Sequence, residues 1–309
     1  MCSPDYGRDA MKEIRDIITA FQRDPGQSAA LATLVRARGS SYRRPGARML
    51  VGDGGSTVGA LSGGCLEEEV AAHALEVIAS GQPALLTFDT RLRYGCHGAI
   101  DIFVEKLLPE VLEQIASAQK SRRECLLATV FENANSLGTR VVASPEEVPS
   151  GAFRQTILPA LQLVLVGEGP DSLPLRALAA VLGWDVMEVE EGMLLPNEFD
   201  EWTAAIVKTH NYGRDYAALE KLLPMGLRYV ALLGPRRRRD QLLHALLEAG
   251  VEMHSELFAP AGLDIGAESP EEIALAMVTE IQSTFVGAKA ESLRERKSAI
   301  HLVCEPTAA

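Results

Sequence analysis

Cysteine, arginine and glycine residues concentrate in three loops of the first half of the chain. Two of these loops are Ser62-Gly63-Gly64-Cys65 and Tyr94-Gly95-Cys96-His97-Gly98, and the third, residues 38–48, carries Arg38, Arg43, Arg44 and Arg48. Arginine among glycine, serine and proline suits the binding of a phosphate or a carboxylate, and consecutive glycine amides can form an anion nest. A solvated loop rim is the alternative interpretation of the arginines.

The two loop cysteines are candidates for a reactive thiol or a soft metal ligand. Cys65 immediately precedes a predicted helix, whose dipole favours the thiolate, and Cys96 has His97 beside it. A zinc site with two cysteines and one histidine stays open, although no pair of these residues has the spacing of a zinc motif. The alternative is that each cysteine is a small, buried apolar side chain.

A glycine-rich turn in the second half has the context of a phosphate-binding Rossmann turn. The segment Gly167-Glu168-Gly169-Pro170-Asp171-Ser172 follows a buried type of strand and opens a predicted helix, and Glu190 lies where an acid would contact a ribose hydroxyl. Ser172 stands in place of the third glycine, and the acidic residues of the turn put negative charge near the phosphate position. A nucleotide site and a turn kept for structural reasons both remain open.

Two further candidates follow predicted strands of the second half. His210 comes after the third of these strands, where ligands of such sheets bind, and is a base, a ligand or a surface residue. The run Arg236–Arg239 begins a predicted helix and is either a solvated face or the source of one anion contact. The sequence contains no GxSxG, HExxH or GxxxxGK[ST] motif, so the usual hydrolase and P-loop chemistries have no support.

The elements that must position these residues differ between the two halves. In the first half, helices are predicted over 12–24 and 66–79, and strands over 29–35, 47–51, 84–88, 99–105, 124–131 and 139–143. This mixture predicts an α+β domain. Prolines at positions 145 and 149, followed by Gly151, predict a linker over residues 144–157.

The second half alternates strand and helix patterns. Strands are predicted at Gln162–Val166, Asp185–Glu190, Ala204–Val207, Tyr229–Leu233 and Val251–His254, and helices over 172–182, 214–223, 236–249 and 271–285. This alternation predicts an α/β fold with a doubly wound parallel sheet. The last helix has a well-defined start, since Ser269 suits the N-cap, Pro270 the first helical position and Glu272 a capping box.

Length and composition limit the class of protein. The chain has 309 residues, of which 47% are hydrophobic and 23% charged, a globular balance sufficient for two hydrophobic cores. Its formal net charge of −12 argues against a protein dedicated to nucleic acid or to an anionic membrane. We expect a cytoplasmic protein, because no apolar run reaches the about 20 residues of a membrane span, no secretory signal is visible and the five cysteines form no CxxC pair.

Taken together, these motifs resemble those of the XdhC/CoxI family, the maturation factors of molybdenum hydroxylases such as xanthine dehydrogenase and carbon monoxide dehydrogenase. The resemblance extends over roughly residues 12–286. The segments that carry it are GSSYRRPGARM at 39–49, SGGCLE at 62–67, YGCHGAID at 94–101, TH at 209–210, YVALLGPRR at 229–237 and APAGLDIGAESPEE at 259–272.

The resemblance implies an N-terminal XdhC/CoxI domain over residues 1–147, a C-terminal Rossmann-like domain over 158–286 and a tail over 287–309. It also implies a protein that binds the molybdenum cofactor (molybdopterin), assists its sulfuration and delivers it to a molybdenum hydroxylase of the xanthine dehydrogenase type. A cysteine desulfurase and a second copy of this chain are the other expected partners. The residues expected to bind the cofactor are Arg43, Arg48, Gly63, Gly64, Cys65, Gly95, Cys96, Gly98, Gly167, Gly169, Glu190 and His210, with Cys65 and Cys96 as metal ligands.

Two other functions remain open from the sequence. An NAD(P)-dependent oxidoreductase would use the Rossmann-like half with His210 as acid or base, and a scaffold would bridge a cysteine desulfurase and a hydroxylase without holding a cofactor. The altered glycine turn and the absence of a clear acid/base pair favour a cofactor chaperone over an enzyme. No catalytic residue is therefore assigned.

Overall fold

The chain folds into two compact units that meet in sequence between Pro159 and Ala160. The computed structural model describes residues 11–39, 41–89, 98–132 and 136–295. In these residues the first unit contains an antiparallel five-stranded sheet and an antiparallel three-stranded sheet, and the second contains a parallel five-stranded sheet. No helix among them combines the length and the hydrophobicity that a bilayer crossing requires.

The first unit follows the predicted mixture of strands and helices. Its described elements are α1 (Met11–Arg23), β1 (Ala29–Gly39), β2 (Arg48–Gly52), β3 (Thr57–Gly59), α2 (Glu67–Ser80), β4 (Ala84–Asp89), β5 (Gly98–Lys106), α3 (Pro109–Lys120), β6 (Cys125–Val130), β7 (Gly138–Val142) and β8 (Phe153–Ile157). The strand order is β3-β2-β1-β5-β4 in the larger sheet and β7-β6-β8 in the smaller one.

Residues 29–35 of the central strand β1 are buried on both faces of the sheet, which explains why all of them except Thr33 are apolar. Its alternate residues Ala30, Ala32 and Leu34 pack towards α2, whereas Leu31 packs with α1, α3 and the smaller sheet. Small alanine side chains let the covering helix approach the sheet closely, and the period of two sends successive residues to opposite faces. Both faces of the sheet at residues 29–35 of β1 are therefore core.

The prediction of a linker over residues 144–157 is wrong. The prolines and Gly151 do mark a turn region with a short 3₁₀ helix at Pro145–Glu147, but the chain then returns to the smaller sheet as β8, paired antiparallel with β6. Two further elements were not predicted from the sequence: α3, a helix of 12 residues, and β3, which contains only three residues. Proline and glycine in this segment correctly predicted a turn, but they do not predict that the following residues pair with β6.

The second unit is the predicted doubly wound α/β fold. Its elements are β9 (Gln162–Val166), α4 (Ser172–Leu182), β10 (Asp185–Val189), β11 (Thr203–Val207), α5 (Tyr212–Leu222), β12 (Tyr229–Leu232), α6 (Arg236–Glu248), β13 (Leu257–Phe258) and α7 (Pro270–Val286). The parallel strand order is β10-β9-β11-β12-β13, with α5 and α6 in the core on one face and α4 packed against α7. The strand predicted at Val251–His254 is wrong, since the last strand lies at Leu257–Phe258 instead.

The start of α7 has the N-cap residue and the capping box that the sequence predicts. The hydroxyl of Ser269 accepts a hydrogen bond from the amide of Glu272 at 3.3 Å, and the Glu272 carboxylate accepts one from the amide of Ser269 at 3.0 Å. Pro270 occupies the first helical position. These hydrogen bonds satisfy amides that a helix leaves unpaired at its first turn.

We expect the Ser269→Ala substitution to lower the free energy of unfolding of the second unit by about 1 kcal/mol, because it removes the N-cap acceptor. Urea denaturation followed by circular dichroism checks this value. The matched control is Ser283→Ala, since the Ser283 hydroxyl donates to the carbonyl of Glu280 within α7 and caps no helix start. Equal effects of the two substitutions would contradict a specific role for the cap.

Candidate functional site

The loop over residues 38–48 (the arginine loop) and the loop over residues 62–65 (the first cysteine loop) meet at one end of the larger sheet. The arginine loop follows β1, and the cysteine loop follows β3, whose Gly59 pairs with Met49 of β2. Atoms of the Tyr42 ring lie 3.8 Å from the position that a Cβ on Gly63 would take. Gly98 opens β5 opposite Gly39, the last residue of β1, so β5 begins at this same end of the sheet.

The loop that presents Cys65 is organised by the carboxylate of Glu67. This carboxylate accepts hydrogen bonds from the amides of Leu61 at 3.1 Å, Ser62 at 2.8 Å and Leu66 at 3.0 Å, and from the Ser62 hydroxyl at 2.7 Å. The Ser62 oxygen in turn accepts a hydrogen bond from the amide of Cys65 at 3.1 Å. Hydrogen bonds within the loop and to Glu67 thus hold the tip that carries the thiol, and the side chain of Cys65 is exposed.

Burial raises the pKa of Glu67, but the hydrogen bonds from Ser62 and Leu66 outweigh it and leave the pKa below its usual value. The ionised carboxylate therefore stabilises the loop. The amides of Gly63 and Gly64 make no hydrogen bond within the described part of the chain, and both residues are exposed. A φ of +103° places Gly64 in the left-handed region, which glycine adopts at low cost. The tip consequently offers N–H donors beside a thiol.

A second carboxylate, that of Glu13 in α1, joins the two loops. It is buried and accepts hydrogen bonds from the Arg43 guanidinium at 2.8 Å, from the Arg48 amide at 2.6 Å and from the Ala60 amide at 3.3 Å. The side chain of Arg43 is 25% exposed, so it is anchored on one side and accessible on the other. Such an anchored guanidinium can still bind an anion.

Arg48, another residue predicted to bind the cofactor, is completely buried. Its guanidinium donates to the carbonyl of Gly46 at 3.1 Å and to the side chain of Gln155 in β8. Burial lowers its pKa to about 10, against the opposing effect of Glu13 and Glu105. Its Nε and Nη2 atoms have no hydrogen-bond partner among the described residues. The structure thus places Arg48 in the core between the two sheets, away from the surface that the loops expose.

Arg36 and Arg38, which the cofactor prediction left out, lie at the same end of the sheet. Both donate to the buried carboxylate of Asp101, at 2.9 Å and 2.8 Å, and Thr87 donates to it at 3.0 Å. Spacing by two on a strand places the two arginines on one face. Their side chains are 36% and 55% exposed, and Arg36 also donates to Glu132 at 2.8 Å, so the carboxylates of Asp101 and Glu132 balance the two guanidinium charges. Arg38 belongs to the loop over residues 38–48 that was predicted to bind an anion, and the spacing of two residues between Arg36 and Arg38 in a strand is the sequence signal for Arg36.

Two residues of the predicted site, Gly95 and Cys96, lie outside the described residues. No group of three or more His, Cys, Asp and Glu side chains suited to holding a metal occurs in the part of the chain that the structure describes. The prediction that Cys65 and Cys96 share a metal therefore stays a prediction. Within the described residues Cys65 offers a single soft sulfur ligand.

Side chains of the protein pack tightly against the glycine turn of the second unit, residues 167–172. Gly167 has a φ of +99°, and a Cβ on it would come within 2.6 Å of the Thr209 Cα. Lys208 is completely buried, donates to the Ser172 hydroxyl at 2.5 Å and lies 3.6 Å from the carboxylate of Asp171. A Cβ on Gly169 would meet that carboxylate at 2.7 Å. The two glycines are thus required for packing within the protein itself.

These contacts do not fit a dinucleotide cofactor. A pyrophosphate would sit at the N-terminus of α4, where the buried carboxylate of Asp171 already lies, 3.6 Å from the Lys208 ammonium that balances its charge. Glu190 and His210 are exposed at the carboxyl ends of β10 and β11, and His210 has a left-handed φ of 55°. These residues therefore share the carboxyl end of the sheet, where a Cβ on Gly167 after β9 would come within 2.6 Å of the Thr209 Cα after β11.

The loop of His210 is held by another buried carboxylate. Asp215 accepts hydrogen bonds from the amide and the hydroxyl of Thr209, at 3.2 Å and 2.5 Å. The Arg238 guanidinium lies 2.5 Å from the second oxygen of Asp215, and Arg239 donates to the carbonyl of Ala259. Two of the four arginines at the start of α6, Arg238 and Arg239, therefore stabilise the fold of the second unit.

Comparison with known proteins places the chain in a family. Residues 22–89 match the model of the XdhC and CoxI family, and residues 163–281 match that of the XdhC Rossmann domain. A Bacillus subtilis relative, named as a probable xanthine dehydrogenase subunit, is 30% identical, with 84% of this chain and 93% of the relative covered. The Escherichia coli "Molybdenum cofactor insertion chaperone PaoD" is 28% identical, with 86% of each chain covered.

A crystal structure supports the fold. The Bacillus halodurans protein, described as a xanthine dehydrogenase, superimposes with a TM-score of 0.77 at 23% identity, covering 91% of this chain and 97% of that one. Fold and site together define a two-unit protein in which an N-terminal α+β unit presents a cysteine loop and a Rossmann unit follows it. This chain belongs to the XdhC/CoxI family.

We expect the Glu67→Ala substitution to lower the free energy of unfolding by about 1–2 kcal/mol, since it removes several charge-assisted hydrogen bonds from a partly exposed carboxylate. The pKa of Glu67 is lower in the folded state than in the unfolded state. The stabilisation by its ionised carboxylate is therefore complete above the pKa of the unfolded state, and it is lost as the pH falls through the pKa of the folded state. The difference from wild type should be full at about pH 7 and smaller at about pH 3. Urea titrations at both pH values measure it.

A matched control for this experiment is Glu68→Ala, on the next residue of the first turn of α2. That carboxylate accepts none of the hydrogen bonds that order the cysteine loop. A Glu68→Ala variant as destabilised as Glu67→Ala, with the same pH dependence, would contradict the role assigned to Glu67.

Cys65 and Cys125 should differ in their reaction with iodoacetamide. Cys65 is exposed, whereas Cys125 is buried and burial raises the pKa of its thiol. We expect Cys65 to be alkylated at least about tenfold faster at neutral pH, because the thiolate is the reactive form and needs access. Peptide mass spectrometry after timed quenching gives both rates in one sample. Equal rates in the folded protein would overturn this assignment of exposure.

Proposed function

We propose that this protein is a maturation factor that binds the molybdenum cofactor, assists its sulfuration and delivers it to a molybdenum hydroxylase. The observation that carries the proposal is the end of the larger sheet where Cys65, the exposed amides of Gly63 and Gly64 and the anchored Arg43 lie together. The names of the relatives support it, since one is a molybdenum cofactor insertion chaperone and another is a probable component of a xanthine dehydrogenase.

The chemistry of the cargo agrees with these side chains. The molybdenum cofactor combines a soft dithiolene-bound metal with a phosphate on its pterin. Backbone amides and a guanidinium suit the phosphate, and a thiolate suits the metal. Glu67 and Ser62 would hold the receiving amides in place before the cargo arrives, which lowers the entropic cost of binding.

The proposal includes partners and a cellular location. A cysteine desulfurase would supply the sulfur, a hydroxylase of the xanthine dehydrogenase type would receive the cofactor, and the factor would act as a homodimer in the cytoplasm. A two-fold dimer is the commonest closed assembly of identical chains. The alternative of an NAD(P)-dependent oxidoreductase is not favoured, because Asp171 and Lys208 fill the turn that would bind the cofactor.

Purification under anaerobic conditions from a host that makes molybdenum cofactor tests the proposal. Molybdenum and oxidised pterin would be measured per chain for wild type, Cys65→Ala and Cys96→Ala. Cys125→Ala is the matched control, since that thiol is buried away from the loop of Cys65. We expect close to one pterin per chain in wild type and in the control, and at least about a fivefold loss in Cys65→Ala or Cys96→Ala, as when one soft ligand is removed.

Wild type that carries no pterin, even after incubation with released cofactor, would overturn the proposal. Capture of a hydroxylase or a desulfurase by such a pterin-free protein would instead favour a scaffold. An equal loss in Cys125→Ala would indicate a general effect on folding, and circular dichroism spectra of all four proteins identify that case.

A further inference from the structure

Two helices, α4 and α7, form one layer on a single face of the parallel sheet in the second unit. Tyr229 of β12 donates through its hydroxyl to Glu280 of α7 at 2.7 Å, whereas the next residue, Val230, packs in the core with α5 and α6. Successive residues of a strand project to opposite faces of a sheet, so α7 lies on the face opposite to α5 and α6. Because α4 packs against α7, both helices cover that face side by side.

Each helix of this layer buries one side against the sheet and exposes a stripe on the other. In α4 the buried residues are Leu175 and Ala179, and the exposed residues that follow at helical spacing on the other side are all apolar. In α7 an exposed stripe recurs at intervals of four, three and four residues. Together the stripes form the α4–α7 surface, which consists of Leu173, Ala177, Ala180, Val181, Leu275, Thr279, Gln282 and Val286.

None of these eight residues is charged, although 23% of the chain is. The charged residues of the two helices lie at the margin of the surface or are already paired. Arg176 forms an ion pair with Glu188 of the edge strand β10 at 2.9 Å, and Glu271 and Glu272 belong to the first turn of α7. An apolar centre with charge confined to its rim is typical of a protein–protein interface.

The opposite face of the same sheet provides an internal comparison. Its helices α5 and α6 also bury one side against the sheet, yet their exposed residues include six charged ones: Arg214, Glu220, Arg236, Arg237, Asp240 and Glu248. The lack of charge on the α4–α7 surface is therefore not a general property of the helices in this unit. Single exposed apolar side chains are ordinary, but a contiguous group of them marks a site of interaction.

Charge and lifetime favour a second copy of this chain as the partner of the α4–α7 surface. Each copy has a formal net charge of −12, so two copies repel one another and approach most readily through a surface without charge. Permanent homodimer interfaces are also more apolar than the interfaces of transient complexes. A protein that delivers a cofactor must release its recipient, and that contact suits a more polar surface.

We propose that the α4–α7 surface is the interface of a two-fold homodimer. A two-fold axis brings the same surface of both copies together, so the exposed side chains of Leu173, Val181 and Leu275 leave water on each side. The inference takes the homodimer from the proposed function and adds the surface through which it forms. It does not depend on the cofactor.

Sedimentation velocity of the full-length protein over a range of concentrations tests the proposal. The variants are Leu173→Glu and Leu275→Glu, at residues that are 67% and 47% exposed. The matched control is Leu247→Glu on α6, since Leu247 is 60% exposed on the opposite face of the sheet. Thr279→Lys repeats the test at an exposed polar position, where no apolar side chain is removed. Circular dichroism checks that every variant is folded.

We expect a dimer in wild type and at least about 100-fold weaker dimerisation in Leu173→Glu and Leu275→Glu, because each places like charges on both sides of an apolar interface. Thr279→Lys should weaken dimerisation at least about tenfold for the same reason. Leu247→Glu should stay within about twofold of wild type.

A wild type that is monomeric at every concentration would overturn the proposal. If Leu275→Glu then abolished its binding to a hydroxylase, the surface would belong to that partner instead. A dimer that persists in folded Leu173→Glu, Leu275→Glu and Thr279→Lys would place the interface elsewhere, and equal dissociation of Leu247→Glu would contradict the choice of face. Pterin measured on the same samples separates the two proposals, since a monomer that carries pterin contradicts only this one.

Discussion

The buried carboxylate of Glu13 is the interaction on which the arrangement of the first unit depends. It belongs to α1, yet its hydrogen-bond donors come from the arginine loop and from the start of the cysteine loop. A buried carboxylate with its donors in place is stabilising, whereas one left without them costs several kcal/mol, roughly 3–5 for a broken buried pair. Satisfying this one charge therefore joins the two loops, whereas Glu67 and Ser62 order the tip that carries the exposed thiol.

Carboxylates organise loops in both units, but with opposite results for a ligand. Around Glu67 the hydrogen bonds are made with the base of the loop, so the amides of Gly63 and Gly64 stay exposed at its tip. In the second unit Asp171 is turned inward and lies beside Lys208 at the position where a phosphate would bind. The first arrangement leaves donors for an anion, whereas the second neutralises its own charge. The Rossmann fold is thus retained without the contacts of a dinucleotide site.

The placement of arginines follows the same division between fold and surface. Arg48 is buried and Arg238 pairs with a buried carboxylate, while carboxylates anchor Arg36, Arg38 and Arg43 at one end of the larger sheet. Arg123 and Arg154 are exposed and have no such anchor among the described residues. A run or cluster of arginines in the sequence therefore contains residues with quite different roles. Burial and the distance to the nearest carboxylate separate these roles.

The sequence by itself determined the periodic elements, the doubly wound fold of the second half, the capping box at Ser269 and the family. These features depend on contacts between residues close in the sequence, or on motifs that can be recognised in the linear sequence. Only the tertiary structure decided that Arg48 is buried, that residues 153–157 complete a sheet, and that Lys208 and Asp171 close the glycine turn. These outcomes depend on partners far apart in the chain, since Arg48 and Gln155 are separated by 107 residues and Lys208 and Ser172 by 36. Local patterns carry no information about which distant side chain will satisfy a buried charge, and that pairing fixes the site.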